Sequence, residues 1–385
     1  FFFRLMASSL HIWLLLSLCL GGATEVVVDV NTRTRVHICT ESIIRVTHRP
    51  STAIPTPPSL VVTAQWKQVP VVRTDTAATV TLRTARVTVV AQKGDGAVTV
   101  YDDSGRRVLA ETVTHLTPTR AQDGTAGYTV EQSWEIGAHE ALYGGGQYQN
   151  GLLQYRHFPL DLLQYNTEAA VPFFVSTAGY GLLWDNYART RLNPGTPVPL
   201  AGPVPGPSGP TWTAQVTTGA PGLYHFALTS GFWFGMRGRR LWLDVEGTGQ
   251  RVIAWEGLGS SPSSHTGRVA LAGHTRYTLR VVGEDPDMAL TMTPPDYGRT
   301  TLRSDAGEWV DYYAMVGGSL DGTIALYREA TGPAPLYGRW AYGFWQCKEH
   351  YASQEELLGA AKGYRARGIP VDNIVQDWHY WGDLG

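Results

Sequence analysis

Two short runs of ionisable and aromatic side chains hold most of the chemistry this sequence could perform. Lys348-Glu349-His350-Tyr351 follows the strand-like segment Tyr342-Gly343-Phe344-Trp345-Gln346-Cys347. Asp377-Trp378-His379-Tyr380-Trp381 follows a second such segment, Ile374-Val375-Gln376. A carboxylate such as Asp377 accepts hydrogen bonds from two donors at once, and such charge-assisted bonds are roughly twice as strong as neutral ones. Aromatic rings beside it serve as core packing or as platforms for an apolar ligand face. Packing is the favoured reading of Trp378 and Trp381, and His350 and His379 fit polar structural slots better than the role of a base.

Other chemistries find no support. Leu142-Tyr143-Gly144-Gly145-Gly146-Gln147 reads as a glycine turn; it lacks the GK[ST] ending of a phosphate loop, so its glycines serve backbone geometry rather than nucleotide binding. No CxxC, HExxH or paired-histidine spacing is present, and Asp244 has no acidic cluster beside it, so no metal is expected. No cofactor is expected either. Of three cysteines, Cys19 sits in an amino-terminal apolar run, while Cys39 and Cys347 read as two buried thiols with no disulfide framework. The net charge of -2 and the absence of a Lys/Arg stripe argue against nucleic acid as a partner.

The elements that must position these residues can be read from punctuation. Ser353 is a helix cap with Glu356 three residues on, Leu357, Leu358, Ala361 and Tyr364 make an apolar side, and Gly368 with Pro370 ends the helix. The order from Pro335 to Gly385 is therefore strand, helix, strand, the opening of a (β/α)8 barrel, whose sites gather at the carboxy-terminal strand ends. A second helix is expected from Ser319 to Thr331, stopped by Gly332 and Pro333.

The rest of the chain is β-rich. Charged residues make up only 17% of it, against 43 Gly and 23 Pro, with 43% hydrophobic residues to fill cores. Short β-branched runs at Val26–Val28, Ile43–Val46, Leu60–Val62, Val69–Val72, Val80–Leu82 and Val87–Val90 are separated by turn residues, and Val98–Leu109 reads as a hairpin around Asp102–Gly105. Many short strands at this spacing indicate a β-sandwich. Seven Pro and four Gly between Pro194 and Pro210 read as a linker. Beyond it a second β pattern runs to Pro294-Pro295. The division expected is residues 1–24 as a signal peptide, 25–205 as the sandwich, 206–297 as an inserted β domain, 298–334 as the end of the sandwich with a connecting helix, and 335–385 as barrel strands. The signal peptide rests on the apolar run His11–Leu20 and the small residues Gly21–Thr24; the run is too short to span a bilayer comfortably, which needs about 20 apolar residues. Secretion is the expected localisation, with a membrane anchor as the alternative.

The segments Tyr342–Tyr351 and Ile374–Trp378 resemble glycoside hydrolase family 31, which comprises α-glucosidases and α-xylosidases. Gln164–Glu168 and Trp184-Asp185-Asn186-Tyr187 look like that family's amino-terminal, galactose-mutarotase-like sandwich. In the insert, Tyr224-His225-Phe226, Leu241–Asp244 and Leu271–Tyr277 are similar to a PA14 domain. The resemblance implies a retaining enzyme with two catalytic Asp residues on later barrel strands, so neither is expected within these 385 residues. It implies that Asp377 hydrogen-bonds the sugar at subsite −1, that Tyr351 flanks the sugar, that Trp345 lines the pocket floor, and that Asn166, Thr167 and Glu168 form a loop reaching the barrel mouth. The partner implied is an oligosaccharide or polysaccharide. The alternative is a secreted, non-catalytic carbohydrate-binding protein built from sandwich and PA14-like module.

Overall fold

The computed structural model describes residues 26–50, 58–120, 124–148, 150–164, 168–206, 209–229, 238–258, 264–283, 288–295 and 298–377. The expected signal segment lies outside them. The chain divides into two compact units, with Thr331 closing the first and Gly332 opening the second.

In the first unit the alternating β-branched runs pair into two antiparallel sheets. One has seven strands in the order Val26–Asp29, Thr34–Ile38, Ile43–His48, Val310–Val316, Tyr180–Trp184, Ala169–Ser176, Leu142–Gln147. The other has nine, from Leu160–Leu162 through Thr190–Leu192, Arg299–Gly307, Ala126–Glu135 and Arg107–Arg120 to Val72–Asp75. Their inner faces share one core, in which Val36, Val46, Val89, Val100, Val130, Trp134 and Tyr312 are fully buried. Period-two alternation produces this arrangement, since every second residue of a strand points the same way. Several aromatic residues are spent here: Trp134 meets Trp184 and Tyr312 edge to face, with centroids 6.2 and 5.1 Å apart. Each such contact contributes about 0.5–1.5 kcal/mol beyond area burial. The Trp184 indole donates to Ser304 Oγ at 2.8 Å.

The outer face of the seven-stranded sheet carries the helix Leu320–Thr331, one residue shorter than the expected span because Ser319 stands before it and accepts from Gly322 N. Phe173 stacks on Tyr327 at 4.2 Å. Leu60–Val62 is not a strand: its amides are drawn to Tyr187 Oη and Ser59 Oγ, and Thr63 and Ala64 donate to Ala330 O. Likewise the Val69–Val72 run is strand only from Val72 on.

A second two-sheet sandwich is inserted between Thr190–Leu192 and Arg299–Gly307, which remain paired as Thr190↔Ser304 and Leu192↔Leu302. The host ladder therefore survives the insertion. Asn193 closes the neck, accepting from Thr300 Oγ1 and Thr301 N and donating to the carbonyls of Tyr155 and Phe158. The insert has sheets of four and five strands around a core that includes Phe226, Leu228, Leu243, Leu279 and Val281. The proline-rich segment is not a linker. Thr196–Val198 and Ala201–Val204 pair into these sheets, so the strands of the insert begin upstream of position 206. Both are edge strands, where a missing N–H costs no ladder bond, and that position accommodates Pro197 and Pro203.

Among its described residues the second unit holds a short 3-10 helix, Arg339–Tyr342, followed by one strand–helix–strand. Trp345–Cys347 and Asn373–Val375 are parallel neighbours joined by the helix Gln354–Ala366. Ser353 Oγ accepts from Glu356 N at 3.1 Å, as expected of the cap. The reciprocal arm differs: Glu356 accepts from Ala352 N, at 2.7 Å, and pairs with Lys348. With two strands beside it among the described residues, the helix buries none of its residues fully, and its apolar side is only partly covered. Among the described residues no helix is long and apolar enough to cross a membrane.

Candidate functional site

The second unit holds Trp345, Tyr351 and Asp377 and brings two of them, Trp345 and Asp377, to one face. Phe344 and Gln346 face the helix: the Phe344 ring lies 5.5 Å from that of Tyr364, whose hydroxyl donates to Gln346 Oε1. Alternation then turns Trp345 and Cys347 to the opposite face. The register Trp345↔Asn373 and Cys347↔Val375 puts Asn373 and Val375 on that same face. Asp377 follows two residues later, and Cys347 Sγ donates to its Oδ2 at 3.3 Å. Trp345, Cys347 and Asp377 thus share the face away from the helix, with Cys347 and Asp377 at the carboxy-terminal ends of both strands. In a barrel that is the inner face, at the end where sites form.

Local contacts fix this arrangement. Asp372 accepts from Phe344 N at 3.0 Å, and the amides of Asp372 and Asn373 donate to Phe344 O at 3.0 and 3.1 Å. Asp377 has a φ of 61°, in the left-handed region that Asp tolerates better than most residues, which ends the extended run. The Asp377 carboxylate holds the Cys347 thiol above its ordinary range. Trp345 is half exposed, its indole donating to Ala341 O at 3.1 Å and its ring 6.0 Å from Trp340.

Tyr351 is placed differently. It is buried, its hydroxyl is 3.5 Å from Gln346 Nε2 on the helix side, Gln376 Nε2 donates to its carbonyl at 3.4 Å, and Lys348 Nζ stands 5.4 Å from its ring centroid. It braces the loop that carries Lys348–His350. Asn166 and Thr167 lie outside the described residues, as do Trp378–Trp381. The flanks of the first pair are tied: Gln164 donates to Glu168 O and accepts from Ala170 N. Burial, aided by Asp161, raises the Glu168 carboxyl above its usual range.

Cys347 corrects an expectation, since it is exposed while Cys39 is buried. Among the described residues its strand has no partner layer on that face in this unit, and a cysteine's position in the sequence carries no sign of that. Gln346 and Gln376 were also missed. Their signal was period two, which separates a helix-facing Gln346 from an inward Trp345. Among the described residues no group of three or more His, Cys, Asp and Glu could hold a metal ion.

The chain has counterparts in known proteins. Residues 33–193 match a glycosyl hydrolase 31 N-terminal galactose mutarotase-like domain, and residues 334–385 match the glycosyl hydrolases family 31 TIM-barrel domain. An α-xylosidase of Saccharolobus solfataricus is 31% identical over 267 residues, covering 67% of this chain and 23% of the relative. The crystal structure of a GH31 α-xylosidase from Xanthomonas citri aligns with a TM-score of 0.73 and 28% identity, over 93% of this chain and 45% of that one. A GH31 α-xylosidase from a soil metagenome shares the fold, with a TM-score of 0.55 at 18% identity, over 94% of this chain and 42% of that one. The chain spans less than half the length of each of these relatives.

Proposed function

Because the chain belongs to glycoside hydrolase family 31, we propose that it forms the amino-terminal part of a retaining α-glycosidase releasing terminal α-xylosyl or α-glucosyl residues from oligosaccharides. The observation that carries this reading is the shared face of Trp345 and Asp377 on two adjacent parallel strands, with Asp377 at the carboxy-terminal end. Asp377 accepts hydrogen bonds from hydroxyls of the terminal sugar, and Trp345 walls the pocket. The likeness to α-xylosidases favours the xylosyl substrate. Retention requires two carboxylates about 5–5.5 Å apart across the scissile bond, one attacking the anomeric carbon and the other protonating the leaving oxygen before activating water. In this reading both come from later barrel strands.

The finer assignments belong to the same proposal. The two-sheet insert is a PA14-like module that extends the surface offered to branched oligosaccharides; its nine strands around one core support this. The apolar run His11–Leu20 supports secretion.

Substitution of the aspartate tests the site. In the complete enzyme Asp377→Ala removes two charge-assisted hydrogen bonds and should lower kcat/KM on an aryl α-xyloside at least about a hundredfold, roughly 3 kcal/mol. Kinetics indistinguishable from wild type would remove Asp377 from the site.

A further inference from the structure

The insert meets the sandwich through a polar contact at its neck. The two bodies share no sheet, and their apolar cores are separate. Along the strand Gly222–Thr229, Tyr224, Phe226 and Leu228 enter the core of the insert. Alternation turns His225 and Ala227 the other way, toward the sandwich. There His225 packs on Phe158, and Ala227 lines a cavity of about 470 Å³ whose wall also includes Leu160, Arg191 and Arg303 of the sandwich. A second cavity, of about 370 Å³, lies between Thr196 and Thr293 of the insert and His157, Thr301 and Arg303 of the sandwich. Open space therefore interrupts the contact, and interfaces within a chain allow relative movement unless they are large and apolar.

Two histidines stand on either side of this contact, and both rings are held neutral there. His225 is buried, and its Nδ1 has no hydrogen-bond partner among the described residues. Thr293, directly opposite in the register, likewise has a buried Oγ1 without a partner among them. His157 precedes Phe158 in the sandwich; its Nε2 accepts from Arg156 Nε at 2.7 Å, so that nitrogen carries no proton. The surroundings of His225 oppose a cation. Arg268 is its register partner on the neighbouring strand, and a charge on His157 acts on it from the sandwich. Glu131, Arg299 and Arg303 line the cavity beside His157, where Glu131 stands 3.9 Å from Arg303. No carboxylate among the described residues pairs with His225. A proton on this ring would have neither water nor a counter-charge, whereas moving the insert away returns the ring to water.

We propose that this joint is an acid-sensitive hinge: protonation of His225 and His157 separates the insert from the sandwich about the neck, while each body keeps its own sheets and core. The hinge is independent of Asp377 and of the glycosidase reading. Once exposed, His225 takes up its proton in the ordinary imidazole range, so the ratio of separated to docked molecules should rise on the order of fiftyfold between pH 7 and pH 4.5.

Pulsed electron–electron resonance between spin labels on the two bodies tests it. Thr117→Cys on the sandwich and Glu246→Cys on the insert put labels at exposed positions. The 385-residue chain also carries Cys19→Ser and Cys347→Ser, which leaves the buried Cys39 as its one native cysteine. One distance is expected at pH 7. A second, displaced population is expected at pH 4.5 and should vanish on return to pH 7, with the strand signal in far-ultraviolet circular dichroism unchanged throughout. His225→Phe should abolish the second population. Because that change lies in a buried contact, a second variant guards against misfolding: His157→Asn keeps a residue that tolerates the left-handed φ of 61° at this position and should at least halve the population. The proposal is overturned by one unchanged distance at both pH values, by a second population that persists undiminished in both variants, or by loss of the strand signal along with the displacement, which would make the response acid unfolding.

Discussion

Glu111 shows how one residue can hold distant parts of the chain in register. Its carboxylate accepts from Tyr312 Oη at 2.8 Å and from Val98 N at 2.6 Å, and lies 2.7 Å from His48 Nε2, with Thr34 Oγ1 3.0 Å from the other ring nitrogen of His48. All of these side chains are buried. Burial and the Glu111 charge together push the Tyr312 hydroxyl well above its ordinary pKa. Removing one partner from such a group strands the others without water, so Glu111→Ala should cost about 3–5 kcal/mol in urea unfolding. A loss below about 1 kcal/mol would show that the network contributes little. Nothing in the sequence marks Glu111, because its partners His48 and Tyr312 lie 63 and 201 residues away. Asp377 was legible by contrast, because its place directly after a strand in a strand–helix–strand pattern is a local property.

At the scale of the element, Leu142–Gln147 is not the turn its glycines suggest but a strand, with its register shifted between Gly144 and Gly146. Gly144 and Gly146 have φ of 116° and 117°, and a Cβ on Gly146 would stand 1.8 Å from Ala169 O. Both the conformation and the space exclude a side chain. Gly146→Ala should destabilise the first unit by about 1–3 kcal/mol or more, read as a lower urea midpoint with an unchanged slope. The barrel helix depends on its cap in a different way. With none of its residues buried, local terms weigh heavily, and Ser353→Ala should cost about 1 kcal/mol. Faster amide exchange across residues 354–366, with the sandwich strands unaffected, is the expected signature. Equal exchange in both proteins would mean that the cap is dispensable.

At the scale of the whole molecule, the insert joins the sandwich through a neck where His225 packs edge to face on Phe158 at 4.5 Å. Burial, with the charges of His157 and Arg268, lowers the pKa of His225 to about 4. The folded state therefore binds fewer protons than the unfolded chain between about pH 6.5 and about pH 4. Stability from this group is present above that window and is lost as the pH falls through it. The loss should be on the order of 2 kcal/mol, allowing for solvent screening. Urea unfolding at pH 7 and pH 4.5 reads it, and His225→Phe should flatten the difference. An unaltered pH dependence in that variant would assign the acid sensitivity elsewhere.

The sequence alone determined the β-rich class, both helices, the Asp102–Gly105 hairpin and the position of Asp377 behind a strand. Each of these follows from side-chain periodicity, caps and turn residues, which act over a few neighbours. Only the tertiary structure decided that Pro197 and Pro203 lie in edge strands, that Tyr351 turns toward the helix while Trp345 turns away, and that Asp185 keeps a buried oxygen without a donor among the described residues. Those outcomes depend on which strand lies beside which, and that is set by the packing of whole sheets rather than by near neighbours in the chain.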